Sequence, residues 1–391
     1  MAQAYRRAKS SRASNGRAPS ALDRLRIIPL QTRVRAECLG NATRVVLKLG
    51  TGVLTDGRKQ MDLPQLERLV AQVAMQCQAG REMVLVTSGA VGAGMGALGF
   101  DKRPALLAEL QACAAVGQSR LMATYERLFA RHNLSVAQVL LTHDDLADKE
   151  RHLNARNTLV TLLEHGVVPI INENDAVSFT ELKFGDNDKL SALVASLLPA
   201  DLLIVLTTVD GVVENFGKAN ARTLPLIEQI DETVEQLASG TTSATAVGGM
   251  ISKIQAAKIA VRSGIPMVIA SGRKKSVLAD VLLGKDEGTL FLPKPTKLKG
   301  HKRWIAFFHH PKGTLTIDEG AKKALREKGR SLLPPGIVRC EGEFIAGDVM
   351  RLCDADGTEF ARGISRYSSD EIRAGTLKRV EVVHRDDLVI L

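Results

Sequence analysis

From Arg44 onward the chain alternates short apolar runs with longer stretches of helical spacing. The runs at 45–49 (VVLKL), 82–86 (EMVLV), 135–141, 167–171, 202–206 (LLIVL) and 266–270 (PMVIA) have the length and branched-residue content of strands. Between the first two, Leu66, Leu69, Val70, Val73 and Cys77 recur at helical spacing, which predicts a helix over 63–79 with Pro64 in its first turn and Gly80 ending it. Further helices are expected over 105–132, 153–165, 187–198 and 249–263. Strands that are apolar almost throughout belong in a parallel sheet covered on both faces, so the pattern predicts an α/β fold, a three-layer αβα sandwich around a mainly parallel sheet. Ligands in such sheets sit beyond the carboxyl ends of the strands. The polar clusters at 50–52, 88–92, 172–175 and 207–211 are therefore the places to look.

The alternation stops near Leu292. Residues 293–303 (PKPTKLKGHKR) are rich in Pro and Lys and read as a linker. Beyond them, period-2 stretches such as 349–353 and turns such as DADG at 354–357 predict a small, mostly β domain over 304–391. Residues 44–292 form the main domain. Residues 1–43 read as a disordered basic extension without a function of its own; residues 1–20 hold no acidic side chain and no apolar core of a secretory signal, although their composition overlaps that of organelle transit peptides. The longest apolar stretch, 191–206, is broken by Pro199 and Asp201 and cannot span a bilayer.

Charge changes the picture only once it is divided along the chain. The net +10 of the 391 residues resembles a nucleic-acid signature, but residues 1–43 carry nine Lys and Arg against two acidic residues, whereas 44–296 carry 26 against 27 and 297–391 carry 18 against 14. The main domain is neutral, and an isoelectric argument for DNA binding fails. Aromatics at 4% argue against a surface that stacks bases. Cys38, Cys77, Cys113, Cys340 and Cys353 form no CxxC and no zinc spacing; reduced thiols in a cytoplasmic protein are expected. The eight histidines make no HxH or HExxH pattern, so neither a histidine-held metal nor a Ser-His-Asp triad is predicted.

Four features carry candidate chemistry. Lys48 ends the first strand beside Gly50-Thr51-Gly52, where an ammonium and backbone N–H groups can meet a phosphate. Ser88-Gly89-Ala90 repeats that geometry after the second strand, with an ordinary turn as the competing reading. NEND at 172–175 (Asn172, Asn174 and Asp175 among them) and GDNDK at 185–189 (with Asp186, Asn187 and Asp188) can clasp an α-amino group or organise lysines and Mg2+; Asx turns and helix capping are the alternative. Gly248-Gly249-Met250-Ile251-Ser252-Lys253 opens a helix, exposing N–H groups to an anion that Lys253 can also reach; a capped flexible loop is the alternative. GMGALG at 94–99 fits GxGxxG, but no acidic residue closes a following strand about twenty residues on. A glycine-rich substrate loop is expected there instead. Walker A spacing is absent.

Read in order, VVLKLGTGVL (45–54), VLVTSGAVGAG (84–94), AAVGQSRLM (114–122), LLT (140–142), LNARNTL (153–159), VPIINENDAV (168–177), FGDNDKLSALVA (184–195), VGGMISKIQAA (247–257) and GTLF (288–291) resemble the glutamate 5-kinase branch of the amino-acid kinase family. The pieces IDEGAKKAL (317–325), SLLPPGI (331–337), GDVMRL (347–352), ARGISRY (361–367) and VHRDDL (383–388) resemble the PUA domain that follows in that branch. The resemblance covers 44–391. It implies transfer of phosphate from ATP to the γ-carboxylate of L-glutamate, the first step of proline synthesis, with Mg2+, feedback inhibition by proline and commonly a homotetramer. It implies that Lys48 and Lys253 contact ATP phosphate and that Asp188 holds the two lysines. Ser88, Gly89, Ala90, Asp175 and Asn187 fall to glutamate, together with Asn172, Asn174 and Asp186. Gly50, Thr51, Thr207, Thr208 and the segment Val247, Gly248, Gly249, Met250, Ile251 and Ser252 fall to the nucleotide.

Three positions depart from the family pattern. Thr208 stands where Asp is common, with Asp210 two positions later; Val247 stands where Thr is frequent; Ile251 stands where Ser is common. Two rival readings remain beside the main one: a sister kinase acting on acetylglutamate, aspartate or a nucleotide, and RNA binding through the PUA domain.

Overall fold

The computed structural model describes residues 30–56, 60–177, 187–239, 249–293, 300–308 and 311–391. It divides into two compact units, one of residues up to Asp145 with His152–Thr296, the other of Leu146–Arg151 with Lys297–Leu391.

The first unit opens with helix α1 (Leu30–Leu39), then β1 (Arg44–Leu49), α2 (Thr51–Leu54), α3 (Leu63–Gln78), β2 (Glu82–Val86), α4 (Ala90–Met95), α5 (Leu107–Ala130) and β3 (Val136–Leu141). After α6 (His143–Ala147) and α7 (Lys149–Glu164), whose residues 146–151 fall to the other unit, come β4 (Val168–Glu173), α8 (Asn187–Leu197), β5 (Leu202–Thr207), and the short β6 (Val213–Glu214), β7 (Arg222–Thr223) and β8 (Leu226–Ile227). The remainder is α9 (Glu232–Ser239), α10 (Met250–Arg262), β9 (Met267–Ser271), α11 (Val277–Leu282) and β10 (Thr289–Phe291). One eight-stranded sheet runs β3-β4-β2-β1-β5-β9-β10-β8. Its neighbours are parallel from β3 to β9, β10 is antiparallel to β9, and β8 is parallel to β10.

The pleat of β1 sorts its side chains. Val45, Leu47 and Leu49 enter the core shared with Leu66, Leu69 and Val73 of α3 and Leu121, Tyr125 and Phe129 of α5. With a side-chain period of two, Lys48 leaves on the opposite face, where α8 lies. Ten of the eleven residues of α8 are buried, as befits a helix held between the sheet and α10. Ala192 and Ala195 on one helix and Ala256, Ala257 and Ala260 on the other are buried small residues that let the two axes approach.

In the second unit α12 (Gly300–Phe307), β11 (Gly313–Ile317), α13 (Glu319–Lys328), β12 (Ile337–Gly342), β13 (Val349–Cys353), β14 (Glu359–Ile364), α14 (Ser369–Arg373) and β15 (Leu388–Ile390) follow one another. The sheet order is β12-β11-β13-β14-β15 around a core that includes Leu315, Phe344, Met350, Leu352, Phe360 and Val383. Asp318 caps α13 by accepting from Ala321 N. Among the described residues no helix is long and apolar enough to cross a membrane.

Three expectations change. The extension read as disordered over 1–43 ends in helix α1, because Arg35 is an anchor that apolar periodicity does not reveal. Its side chain is fully buried; Nε donates to Lys285 O at 2.9 Å, one terminal nitrogen to Pro225 O at 2.7 Å and the other to Glu287 O. The stretch read as a linker over 293–303 contains the start of α12, which Trp304, Ile305 and Ala306 bury into the second unit.

The third change concerns the expected glycine-rich substrate loop at 94–99. Gly94 belongs to helix α4, which crosses α5 at Gly117. A Cβ on Gly117 would stand 1.8 Å from Ala90 O and 2.5 Å from Gly94 N; one on Gly94 would stand 1.9 Å from Cys113 O. The glycines here let two backbones touch. Because the obstructing atoms are backbone, Gly117→Ala forces the helices apart and is expected to cost about 3 kcal/mol of stability. Urea unfolding with an unchanged midpoint would contradict this.

Candidate active site

The clusters after β1, β2, β4 and β5 all lie at the carboxyl edge of the parallel strands. Lys48, next to last in β1, sits between Val86 of β2 and Val205 of β5 and is 4% exposed. Asp188 stands in the first turn of α8 and is fully buried. Lys48 Nζ lies 2.5 Å from Asp188 Oδ1, and Lys253 Nζ, from the first turn of α10, lies 3.0 Å from Oδ2. Ser252 Oγ donates to the same Oδ2 at 3.0 Å. Burial alone pushes the Asp188 pKa up; the two ammonium groups outweigh it and hold the carboxyl down at about 2.

One carboxylate between two ammonium groups leaves this trio with a net positive charge in a poorly hydrated place, a setting that attracts an anion. Gly50 N donates to Leu206 O at 3.1 Å, and a Cβ on Gly50 would stand 3.6 Å from Lys48 Nζ, so the missing side chain keeps the approach to that ammonium open. Thr51 follows as an exposed residue at the start of α2, and Gly249 is the exposed N-cap of α10, ahead of Met250 and Ile251. Thr207 ends β5 and accepts from Gly272 N at 2.9 Å; Thr208, exposed, follows it. Asp210 pairs with Lys274 at 3.3 Å, and Lys274 also pairs with Glu287 at 2.7 Å.

A second group of side chains adjoins the first through Asn187, the neighbour of Asp188. Asn187 Nδ2 lies within hydrogen-bond distance of Thr87 O at 2.6 Å, Asn172 Oδ1 at 2.8 Å and Ser88 Oγ at 3.1 Å. Asn172 Nδ2 donates in turn to Gln118 Oε1 at 2.9 Å. Beneath them Thr87 Oγ1 and the Tyr125 hydroxyl are 2.7 Å apart, and burial pushes the Tyr125 phenol up. Gly89, at φ of 101°, turns the chain from β2 into α4, which begins at the buried Ala90. Asn174 and Asp175 follow β4 in a turn and are half-buried.

The structure thus gathers Lys48, Asp188, Lys253 and Ser252 in one cluster and Ser88, Asn172 and Asn187 in another. Asp186, Val247 and Gly248 lie outside the described residues. Gln118 was not among the candidates drawn from the motifs. Its signal is a polar residue on the buried face of α5, four residues from Ala114 and three from Leu121. Nor was Arg273, which donates to Gly52 O at 2.8 Å and Thr55 O at 2.6 Å and pairs with Asp62 at 2.8 Å, tying down the segment after β1.

The profile of the amino acid kinase family matches residues 43–271, and that of the PUA domain matches 313–385. The glutamate 5-kinase of Geobacter sulfurreducens is 47% identical over 373 residues, spanning 92% of this chain and 100% of its own. That of Methylococcus capsulatus is 45% identical over 368 residues, spanning 90% and 98%. Among solved structures, a carbamate kinase from Giardia lamblia bound to AMP-PNP matches with a TM-score of 0.46 and 21% identity, over 66% of this chain and 100% of its own.

Proposed function

The chain belongs to the amino acid kinase family and within it to the glutamate 5-kinases, and from that premise we propose how its residues share the work of phosphorylating L-glutamate with ATP. The observation that carries the assignment of roles is the Asp188 carboxylate held between Lys48 and Lys253.

A glutamate side-chain carboxylate has a reference pKa of about 4.3 and is ionised at neutral pH. It needs no general base. The difficulty is bringing an anion to a polyanion. Lys48 and Lys253 offset that repulsion by lying against the γ-phosphoryl group, and Asp188 holds both in place before the nucleotide arrives. The backbone at Thr51 and Gly249 supplies N–H groups to the phosphates, Gly50 leaves the approach to Lys48 open, and residues 207–208 border the nucleotide. Ser88, Asn172 and Asn187, with Asn174 and Asp175, hold the amino acid so that a carboxylate oxygen faces phosphorus. The new O–P bond forms as the bond to the β,γ-bridging oxygen breaks, ADP leaves, and no proton moves.

Mg2+ fits as an ion carried on the nucleotide: both Asp188 oxygens are engaged by lysines, and among the described residues no three His, Cys, Asp or Glu gather as a metal cluster. When bound there it adds positive charge at the β- and γ-phosphates. The same reading brings in feedback inhibition by proline, a homotetramer, a cytoplasmic setting and RNA as a partner of the C-terminal unit.

The test is ADP release driven by L-glutamate with Mg2+, with hydroxylamine added to trap the acyl phosphate as a hydroxamate, in the presence and absence of proline. Glutamate-dependent hydroxamate is expected. Activity with acetylglutamate, aspartate or a nucleoside monophosphate in place of glutamate would overturn the reading. Loss of inhibition by proline would remove only the regulatory part.

A further inference from the structure

The substrate side contains a buried donor to which the roles above give no task. Gln118 is 8% exposed, on the face of α5 that also buries Ala114, Gly117 and Leu121. Its Oε1 accepts from Asn172 Nδ2, which fixes the orientation of the amide. Its Nε2 is buried and has no hydrogen-bond partner among the described residues. A buried donor left unpaired costs about 1–3 kcal/mol, so an acceptor that reaches it gains correspondingly.

We propose that Gln118 is a substrate-binding residue whose side-chain N–H groups hold a carboxylate of the amino diacid. This rests on the glutamate 5-kinase reading and adds a contact to it.

The hydrogen bonds run one way. Asn187 Nδ2 serves Asn172 Oδ1, Asn172 Nδ2 serves Gln118 Oε1, and Gln118 Nε2 stands at the end of the relay. Asn172 cannot flip its amide to serve Gln118 Nε2 without losing the bond from Asn187. At the other branch Ser88 Oγ lies 3.1 Å from Asn187 Nδ2, whose two N–H groups face Thr87 O at 2.6 Å and Asn172 Oδ1 at 2.8 Å, and the Ser88 O–H is left to donate. The network therefore ends in donors, Ser88 O–H and Gln118 N–H, and the complementary ligand group is an acceptor with several lone pairs, a carboxylate. The Gly117 contact with Ala90 O brings α5 against the 88–90 segment at the residue before Gln118.

Gln118→Glu is the informative variant. The new carboxylate still accepts from Asn172 Nδ2 and has nearly the same volume, but it replaces the donors with negative charge. The KM for glutamate is expected to rise about ten-fold or more, with the KM for ATP within about two-fold. Stabilisation against heat by glutamate is lost and that by ATP is retained. Gln118→Met removes the donors without adding charge and is expected to raise the same constant by a smaller factor; it decides the matter should the Glu variant not fold. An unchanged glutamate KM in a folded variant overturns the proposal, and so do equal rises for both substrates, which would mark Gln118 as a packing residue. Failure of the parent reading looks different, because the wild-type chain would then release no ADP in response to glutamate.

Discussion

Replacing Lys253 with alanine is expected to lower kcat by about three orders of magnitude and to leave the protein folded. The ammonium is buried and already aligned on Asp188, so in its proposed role it would meet the phosphoryl group without the reorganisation that water would require. Its absence is felt most where charge migrates toward the β,γ-bridging oxygen, in the transition state rather than in bound ATP. The KM for ATP therefore rises much less than kcat falls. The fold survives because Asp188 keeps Lys48 at 2.5 Å and Ser252 at 3.0 Å, so no carboxylate is left buried without a counter-charge. Steady-state kinetics on protein whose circular dichroism matches wild type provide the measurement. A kcat within ten-fold of wild type would remove Lys253 from the reacting centre.

Lys48 and Lys253 also mark how far the sequence could be read. Lys48 stands beside glycines where an apolar run meets a loop, the kind of junction that defines the carboxyl edge of a parallel sheet, and Lys253 follows a glycine pair that opens a helix. The six long strands were legible for the same reason. What the pattern could not supply is the sharing of Asp188. It lies 140 residues from Lys48 and 65 from Lys253, and only the resemblance tied it to both. Arg35 and Gln118 were illegible on other grounds. Both are polar residues made buriable by distant partners, backbone carbonyls near 285–288 for the first and Asn172 for the second; a local window shows Gln118 only as a polar residue on an apolar helix face, and neither partner. GMGALG misled because glycines that open a loop and glycines that let helices touch have the same spacing; only the crossing partner, Gly117, tells them apart.

The largest effect on stability is expected at Asp188. Asn has almost the same shape but no charge, so Asp188→Asn leaves two buried ammonium groups facing one another without an anion. Removing one member of a buried ionic cluster typically costs about 3–5 kcal/mol. Here the two remaining charges also repel, which adds to that cost. The variant is expected to unfold at markedly lower urea and to turn over very slowly. ATP supplies the missing anion, so the rise in melting temperature on adding ATP should exceed that of wild type. The pH dependence gives a second measure. The Asp188 pKa is held at about 2 in the folded chain against a reference of 3.8. A carboxyl with a depressed folded pKa contributes stability above its unfolded pKa and loses it as pH falls through the folded value. That contribution, roughly 2 kcal/mol, is thus complete above about pH 4 and gone near pH 2. The variant has no such group, so the stability gap between the two proteins narrows across that window. A gap that stays constant between pH 5 and pH 2 would mean that Asp188 carries no charge between the lysines.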